Sequence, residues 1–132
     1  MAVKVRATIG KEKYYTEVVA GENTIITDEP KNLGGQNKGF NPYEILATSL
    51  ASCTAATLRM YIDKKGWDIG NIDVSVTLER YPKTGNTIFS RELAFECVSL
   101  DAEAREKLFE IAEKCPVHHL LTENIEINTK IL

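Results

Sequence analysis

From Tyr43 to Lys65 the chain runs without a proline or a glycine, between Asn41-Pro42 on one side and Gly66 on the other. Asparagine caps helix starts, proline suits the first helical position, and glycine ends helices. The segment therefore predicts one long helix. Its apolar residues lie all around the circumference: Ile45, Leu46, Ala47, Leu50, Ala51, Ala55, Ala56, Leu58, Met60, Tyr61 and Ile62. A helix that is apolar on every side has to be enclosed by protein. A chain of 132 residues has few elements with which to enclose it. A dimer that buries two such helices against each other is the expectation. The stretch from Ile45 to Ile62 is close to membrane-span length. It carries Arg59 and five Ser/Thr residues and is flanked by Glu44 and Asp63, so it reads as a buried helix of a soluble protein.

The segments around this helix alternate. Residues 2–9 place Val3, Val5, Ala7 and Ile9 on one side and Lys4, Arg6 and Thr8 on the other, a half-buried strand. Gly10-Lys11 is read as a two-residue turn and residues 12–20 as the returning strand. After the turn at Ala20–Asn23, Thr24 to Thr27 makes a third. Residues 28–42, with three glycines and two prolines, form a loop read as a mobile connection. Its spacing lacks the Gly-Lys-Ser/Thr of a phosphate-binding loop. Residues 71–81 and 87–98 form a hairpin around Pro82–Asn86, with Phe89, Leu93, Phe95 and Cys97 on one face. Asp101 caps a second helix, Ala102 to Lys114, which Pro116 ends. His118 to Thr122 is a short helical turn or loop. Residues 124–131 predict a last strand through Ile125, Ile127, Thr129 and Ile131. The order is βββ-α-ββ-α-β in a single domain over 1–132, an α+β fold.

Charge narrows the partners. Lys and Arg number 16 against 19 Asp and Glu, a net charge of −3. A mildly acidic chain without a basic run does not fit a general nucleic-acid binder. The first residues alternate charge with apolar side chains and do not form a signal peptide, so the expected location is cytoplasmic, with no membrane partner.

Three cysteines remain, at 53, 97 and 115. An odd number in a chain of this kind argues against a disulfide framework. Cys97 continues the apolar row of its strand and reads as a small core residue. Cys53 sits among Ser49, Ala56 and Thr57, a patch small enough to admit another group, and is either a core thiol or a reactive one. Cys115 precedes Pro116. If the residues after it are helical, it occupies an N-cap, where free N–H groups favour the thiolate. Cys115, His118 and His119, with Cys53 as a fourth, are candidate metal ligands. Paired short-spaced clusters are lacking and adjacent histidines point apart, so no metal is expected.

The run Asn41-Pro42-Tyr43-Glu44-Ile45-Leu46-Ala47-Thr48-Ser49-Leu50-Ala51-Ser52-Cys53-Thr54, with Cys115-Pro116-Val117-His118, resembles the OsmC/Ohr family of osmotically inducible and organic hydroperoxide resistance proteins. The family pattern is an Asn-Pro loop, a central helix with one cysteine, and a Cys-Pro about sixty residues on; here 115 − 53 = 62. The resemblance implies an intertwined homodimer with its active sites at the interface. It implies a thiol-dependent peroxidase that uses no metal, flavin or other cofactor. Cys53 would attack an organic hydroperoxide, Cys115 would resolve the sulfenic acid as a disulfide, and a dithiol, lipoyl-type in better-known members, would reduce it. Leu46, Leu50, Phe40 and Met60 could supply an apolar lining. Peroxidase members hold the thiolate with a hairpin arginine and a glutamate directly after Asn-Pro. Here those places carry Lys11 and Tyr43, with Glu44 one step later as the catalytic candidate, a turn of about 100° on a helix. Asn-Pro-Tyr-Glu and Cys-Pro-Val-His are closer to the broader OsmC-like branch. For that branch the alternative is a redox-sensing or apolar-ligand-binding dimer with little peroxidase activity.

Overall fold

The computed structural model describes residues 2–132. The chain divides into two compact units, Met1–Leu46 and Ala47–Leu132.

The first unit is an antiparallel meander of β1 (Arg6–Ile9), β2 (Thr16–Ala20) and β3 (Asn23–Thr27). The β2–β3 turn is tight, with Ala20 opposite Asn23 and Gly21 at φ +61°. A positive φ of this kind is open to glycine without a Cβ penalty. The β1–β2 connection differs from the expected two-residue turn. Ile9 pairs with Thr16, so residues 10–15 all lie outside the ladder. The cause is Asp28, whose Oδ1 accepts the Tyr14 N–H at 3.0 Å and draws that residue out of the strand.

Asp28 also corrects the expectation of a mobile 28–42 loop. It is 2% exposed. Its Oδ1 takes the Glu29 N–H at 2.8 Å, and its Oδ2 takes the N–H of Gln36 at 3.3 Å and of Lys38 at 3.2 Å. The Asp28 N–H in turn donates to Phe40 O at 3.1 Å. The loop holds a short 3₁₀ turn, Lys31–Leu33, and passes close to the backbone of Glu29 and of Ile26 in β3. A Cβ at Gly35 would stand 2.0 Å from Glu29 O, and one at Gly39 2.2 Å from Ile26 O. Only glycine permits such approaches.

Helix α1 (Pro42–Lys65) begins on a capping box. Glu44 N–H donates to Asn41 Oδ1 at 2.9 Å, and Asn41 N–H donates to Glu44 Oε1 at 2.9 Å. The helix ends at Gly66, φ +70°. In the second unit it is followed by the hairpin β4 (Ile72–Tyr81) and β5 (Asn86–Phe95), then α2 (Ala102–Glu113) and α3 (Pro116–Thr122). The hairpin register runs from Ile72 opposite Phe95 to Tyr81 opposite Asn86. Ile72, Val74, Val76 and Leu78 all fall on its half-buried face, as their alternation requires. Asp101 caps α2 by accepting the Ala104 N–H at 2.7 Å.

The core of this unit joins Leu58 and Ile62 of α1 to Ile69, Leu108 and Ala112, with Trp67, Leu93, Phe95 and Cys97 packed around them. Full burial of a side chain such as Leu58 or Ile62 contributes about 2 kcal/mol. Within one chain α1 buries a single stripe, Leu50, Thr54, Leu58 and Ile62, at four-residue spacing. Met60 on another face is 72% exposed.

The expected strand at 124–131 is not present: residues 124–132 form no regular element. Ile127 is 84% and Ile131 97% exposed. Alternation marks a face able to pair, but a strand exists only where a neighbour supplies the other half of the ladder. The observed order is βββ-α-ββ-α-α, still mixed α and β.

Candidate functional site

The second unit brings Cys53 and Cys115 together from positions 62 residues apart. Cys53 lies half-buried in the middle of α1. Cys115 sits between α2 and α3 and is 0% exposed. Pro116 creates this junction. The residue before proline avoids the α region, and Cys115 adopts φ −57°, ψ 132° as the N-cap of α3. Its own carbonyl accepts the His119 N–H at 3.2 Å and opens the new helix. The break turns the N–H groups of Val117 and His118 towards the Cys115 sulfur.

The two thiols are within hydrogen-bonding reach of each other, and the Val117 N–H reaches both sulfurs. Their surroundings push them apart in acidity. Burial pushes the Cys53 thiol up, and the proximity of Cys115 adds to this against the donors Val117 N–H and Thr57 hydroxyl. Burial also acts upward on Cys115, but the His118 N–H, the Cys53 thiol, the Thr54 hydroxyl and the Val117 N–H outweigh it. The net direction for Cys115 is below the ordinary thiol value. Two neighbouring acids with unlike surroundings share one negative charge before they carry two.

Arg91 completes the cluster, and the expectations from sequence missed it. Its Nη1 donates to Thr54 Oγ1 at 3.0 Å, its Nη2 donates to Glu113 Oε2 at 2.6 Å, and Nη2 lies 3.0 Å from His118 Nδ1. The signal was present in the pattern. Arg91 shares strand parity with Phe89, Leu93 and Phe95, and a charge in an apolar row needs buried partners.

The other candidates stand elsewhere. Cys97 packs against the core rather than joining the pair. His118 faces Arg91 and Glu113, and the His118 and His119 rings stand edge to face at 6.1 Å. Among the described residues no three His, Cys, Asp or Glu side chains converge as a metal-binding set. Lys11 is exposed in the β1–β2 connection. Glu44 closes the capping box at the start of α1. It stands nine positions before Cys53 on that helix, which is two and a half turns, or about 13.5 Å of rise and half a revolution.

Beside the cluster is a cavity of about 720 Å³ within the same unit. Leu93, Phe95, Leu108 and Phe109 line it, with Arg91, Arg105 and His118 among its polar groups.

The fold has counterparts among solved structures. A search of curated proteins gave no match. Among solved structures, a proposed osmotic stress induced and detoxification response protein from Psychrobacter arcticus 273-4 superposes with a TM-score of 0.77 at 25% identity, covering 91% of this chain and 88% of that one. An OsmC-like protein from Mycoplasma pneumoniae does so with a TM-score of 0.76 at 22% identity, covering 92% and 87%. The organic hydroperoxide resistance protein OhrB of Bacillus subtilis gives 0.61 at 23% identity, covering 94% and 93%. The family model described as OsmC-like protein matches residues 35–130, a span that contains the Asn-Pro start of α1, both paired cysteines and Arg91. With that match over most of its length, the chain belongs to the OsmC-like family.

Proposed function

We propose that the chain is a thiol-dependent peroxidase that reduces organic hydroperoxides through Cys53 and Cys115. The contact between those two sulfurs, made by a helix centre and a helix junction distant in sequence, carries the reading. Cys53 is the more accessible of the two and takes the attacking role. Its sulfur bonds to the terminal peroxide oxygen as the O–O bond breaks, and the alcohol leaves as alkoxide and takes a proton. The Cys115 sulfur then attacks the Cys53 sulfenic acid, a disulfide forms and water leaves. An external dithiol of the lipoyl type returns both thiols by exchange.

The proposed assembly is a cytoplasmic homodimer. The apolar residues that α1 leaves open in a single chain, such as Met60, support it. Sedimentation at micromolar concentration is expected to give twice the chain mass, and a compact monomer would reject the dimer.

One equivalent of an organic hydroperoxide added to reduced protein tests the chemistry. The free thiols are expected to fall from three to one within seconds, with a mass change of two hydrogens lost. An unchanged count would reject it. The cavity beside the cluster favours a second reading, a dimer that binds an apolar ligand. That reading predicts ligand affinity unaffected by Cys53→Ala and no peroxide consumption.

A further inference from the structure

A guanidinium on the apolar face of a strand has to find acceptors, since burying it unpaired is costly. The Arg91 side chain is 11% exposed and meets one partner from each of the three helices: Thr54, Glu113 and His118. Thr54 is the informative one. It is wholly buried, and its hydroxyl has one proton and two lone pairs. The proton goes to Leu50 O at 2.7 Å, and Arg91 donates to one lone pair at 3.0 Å. The same hydroxyl also reaches Cys115. Arg91 therefore fixes and polarises a hydroxyl that can turn its proton from Leu50 O to the Cys115 sulfur when that sulfur is ionised. The Leu50 carbonyl keeps its helical N–H partner when this happens.

We infer that Arg91 is the positioning residue of the cysteine pair: through Thr54 it holds the pair's negative charge on Cys115, so that Cys115 takes the proton of Cys53 before it resolves the sulfenic acid. The inference rests on the two-cysteine reading and adds to it a base for the first step. The balance closes. The Cys53 sulfur forms a bond to the terminal oxygen of the hydroperoxide, its proton passes to the Cys115 thiolate, and the O–O bond breaks to release alkoxide. Water protonates the alkoxide. Cys115, now a thiol, attacks the sulfenic sulfur, and water leaves with its proton. The opposite directions of the two thiol acidities agree with this order. The titratable and charged groups around Cys115 are Cys53 on α1, Arg91 on β5, Glu113 on α2 and His118 on α3. The His118 N–H reaches the sulfur directly, while the Glu113 carboxylate and the His118 ring meet at Arg91.

The test is an acid–base titration of the reduced full chain, followed by thiolate ultraviolet absorbance, and it needs no peroxide. The wild type is expected to show one thiolate step below the others. The step stays in Cys53→Ser and disappears in Cys115→Ser. Arg91→Gln lowers its acid constant about tenfold, an upward move of about one pH unit. Arg91→Lys restores part of the shift by charge alone, since lysine lacks the fork. Thr54→Val, nearly isosteric, reproduces the Arg91→Gln shift and serves if that variant does not fold. A step unmoved by both Arg91→Gln and Thr54→Val overturns the inference. So does a step that disappears in Cys53→Ser and survives in Cys115→Ser. Because the titration does not depend on turnover, a chain that titrates as expected but leaves peroxide untouched would reject the peroxidase reading alone.

Discussion

The Cys53 and Cys115 thiols share one N–H, that of Val117, while only Cys115 is closed off from solvent. The asymmetry separates the two single variants. Cys53→Ser is expected to abolish peroxide turnover, because the buried sulfur cannot meet a substrate directly. Cys115→Ser is expected to complete one reaction, slowed by the loss of the base for that step, and stop. Without a resolving thiol, the Cys53 sulfenic acid persists and climbs to sulfinic acid, a gain of two oxygen atoms by mass. Peroxide consumption that survives Cys53→Ser would overturn the assignment.

Asp28 makes a prediction for the first unit. Burial acts to raise its carboxyl, but the N–H groups of Lys38, Glu29, Tyr14 and Gln36 outweigh this and hold it below the ordinary value of 3.8. A carboxylate with a depressed folded value stabilises the loop fully above the unfolded value. That contribution is lost as the pH falls through the folded one. Amide exchange at Tyr14, Gln36 and Lys38 is therefore expected to stay slow at neutral pH and to lose protection below about pH 3.8. Asp28→Asn replaces one acceptor oxygen with a donor and is expected to speed exchange at these amides about tenfold at neutral pH. Equal exchange in variant and wild type would mean that the side chain does not hold the loop.

Local rules located most of the elements, and the misses have physical causes. Asn41, Pro42 and Gly66 marked the ends of α1 because caps act within a few residues. Asp101 and Pro116 marked α2 and the cysteine junction for the same reason. Asp28 escaped notice because its role depends on N–H groups 14 residues before it and up to 10 after it. The Ile125–Ile131 alternation led to a strand that is not there, because pairing depends on a neighbouring strand that periodicity cannot supply. The cysteine pair was found only through the resemblance. Nothing in the run Ser52-Cys53-Thr54 shows that a junction 62 residues on packs against it. Arg91 was legible as a charge in an apolar row, and its partners were not.

Glu44 distinguishes a cap from a clamp. In the capping box its carboxylate oxygen accepts the Asn41 N–H, and an amide oxygen would do the same. Glu44→Gln is expected to leave the melting temperature and the peroxide rate near wild type. Asn41→Ala removes the reciprocal bond to the Glu44 N–H and is expected to cost about 1 kcal/mol of unfolding free energy. A large loss of rate in Glu44→Gln with unchanged stability would show that the charge itself acts on the sulfur chemistry.

Cys97 provides the control for the redox assignment. It packs against the core formed around Leu58, Ile62 and Leu108, away from the pair. Truncation to alanine removes one sulfur's worth of packing, and the expected cost is about 1 kcal/mol, as for a small core deletion. Denaturant unfolding measures it through the midpoint. The peroxide reaction is expected to be unchanged in Cys97→Ala, and the thiol count to fall from two to zero with one equivalent of hydroperoxide, because the remaining thiols are the two that react. A residual free thiol in that variant would place Cys97 in the disulfide and remove Cys53 or Cys115 from it.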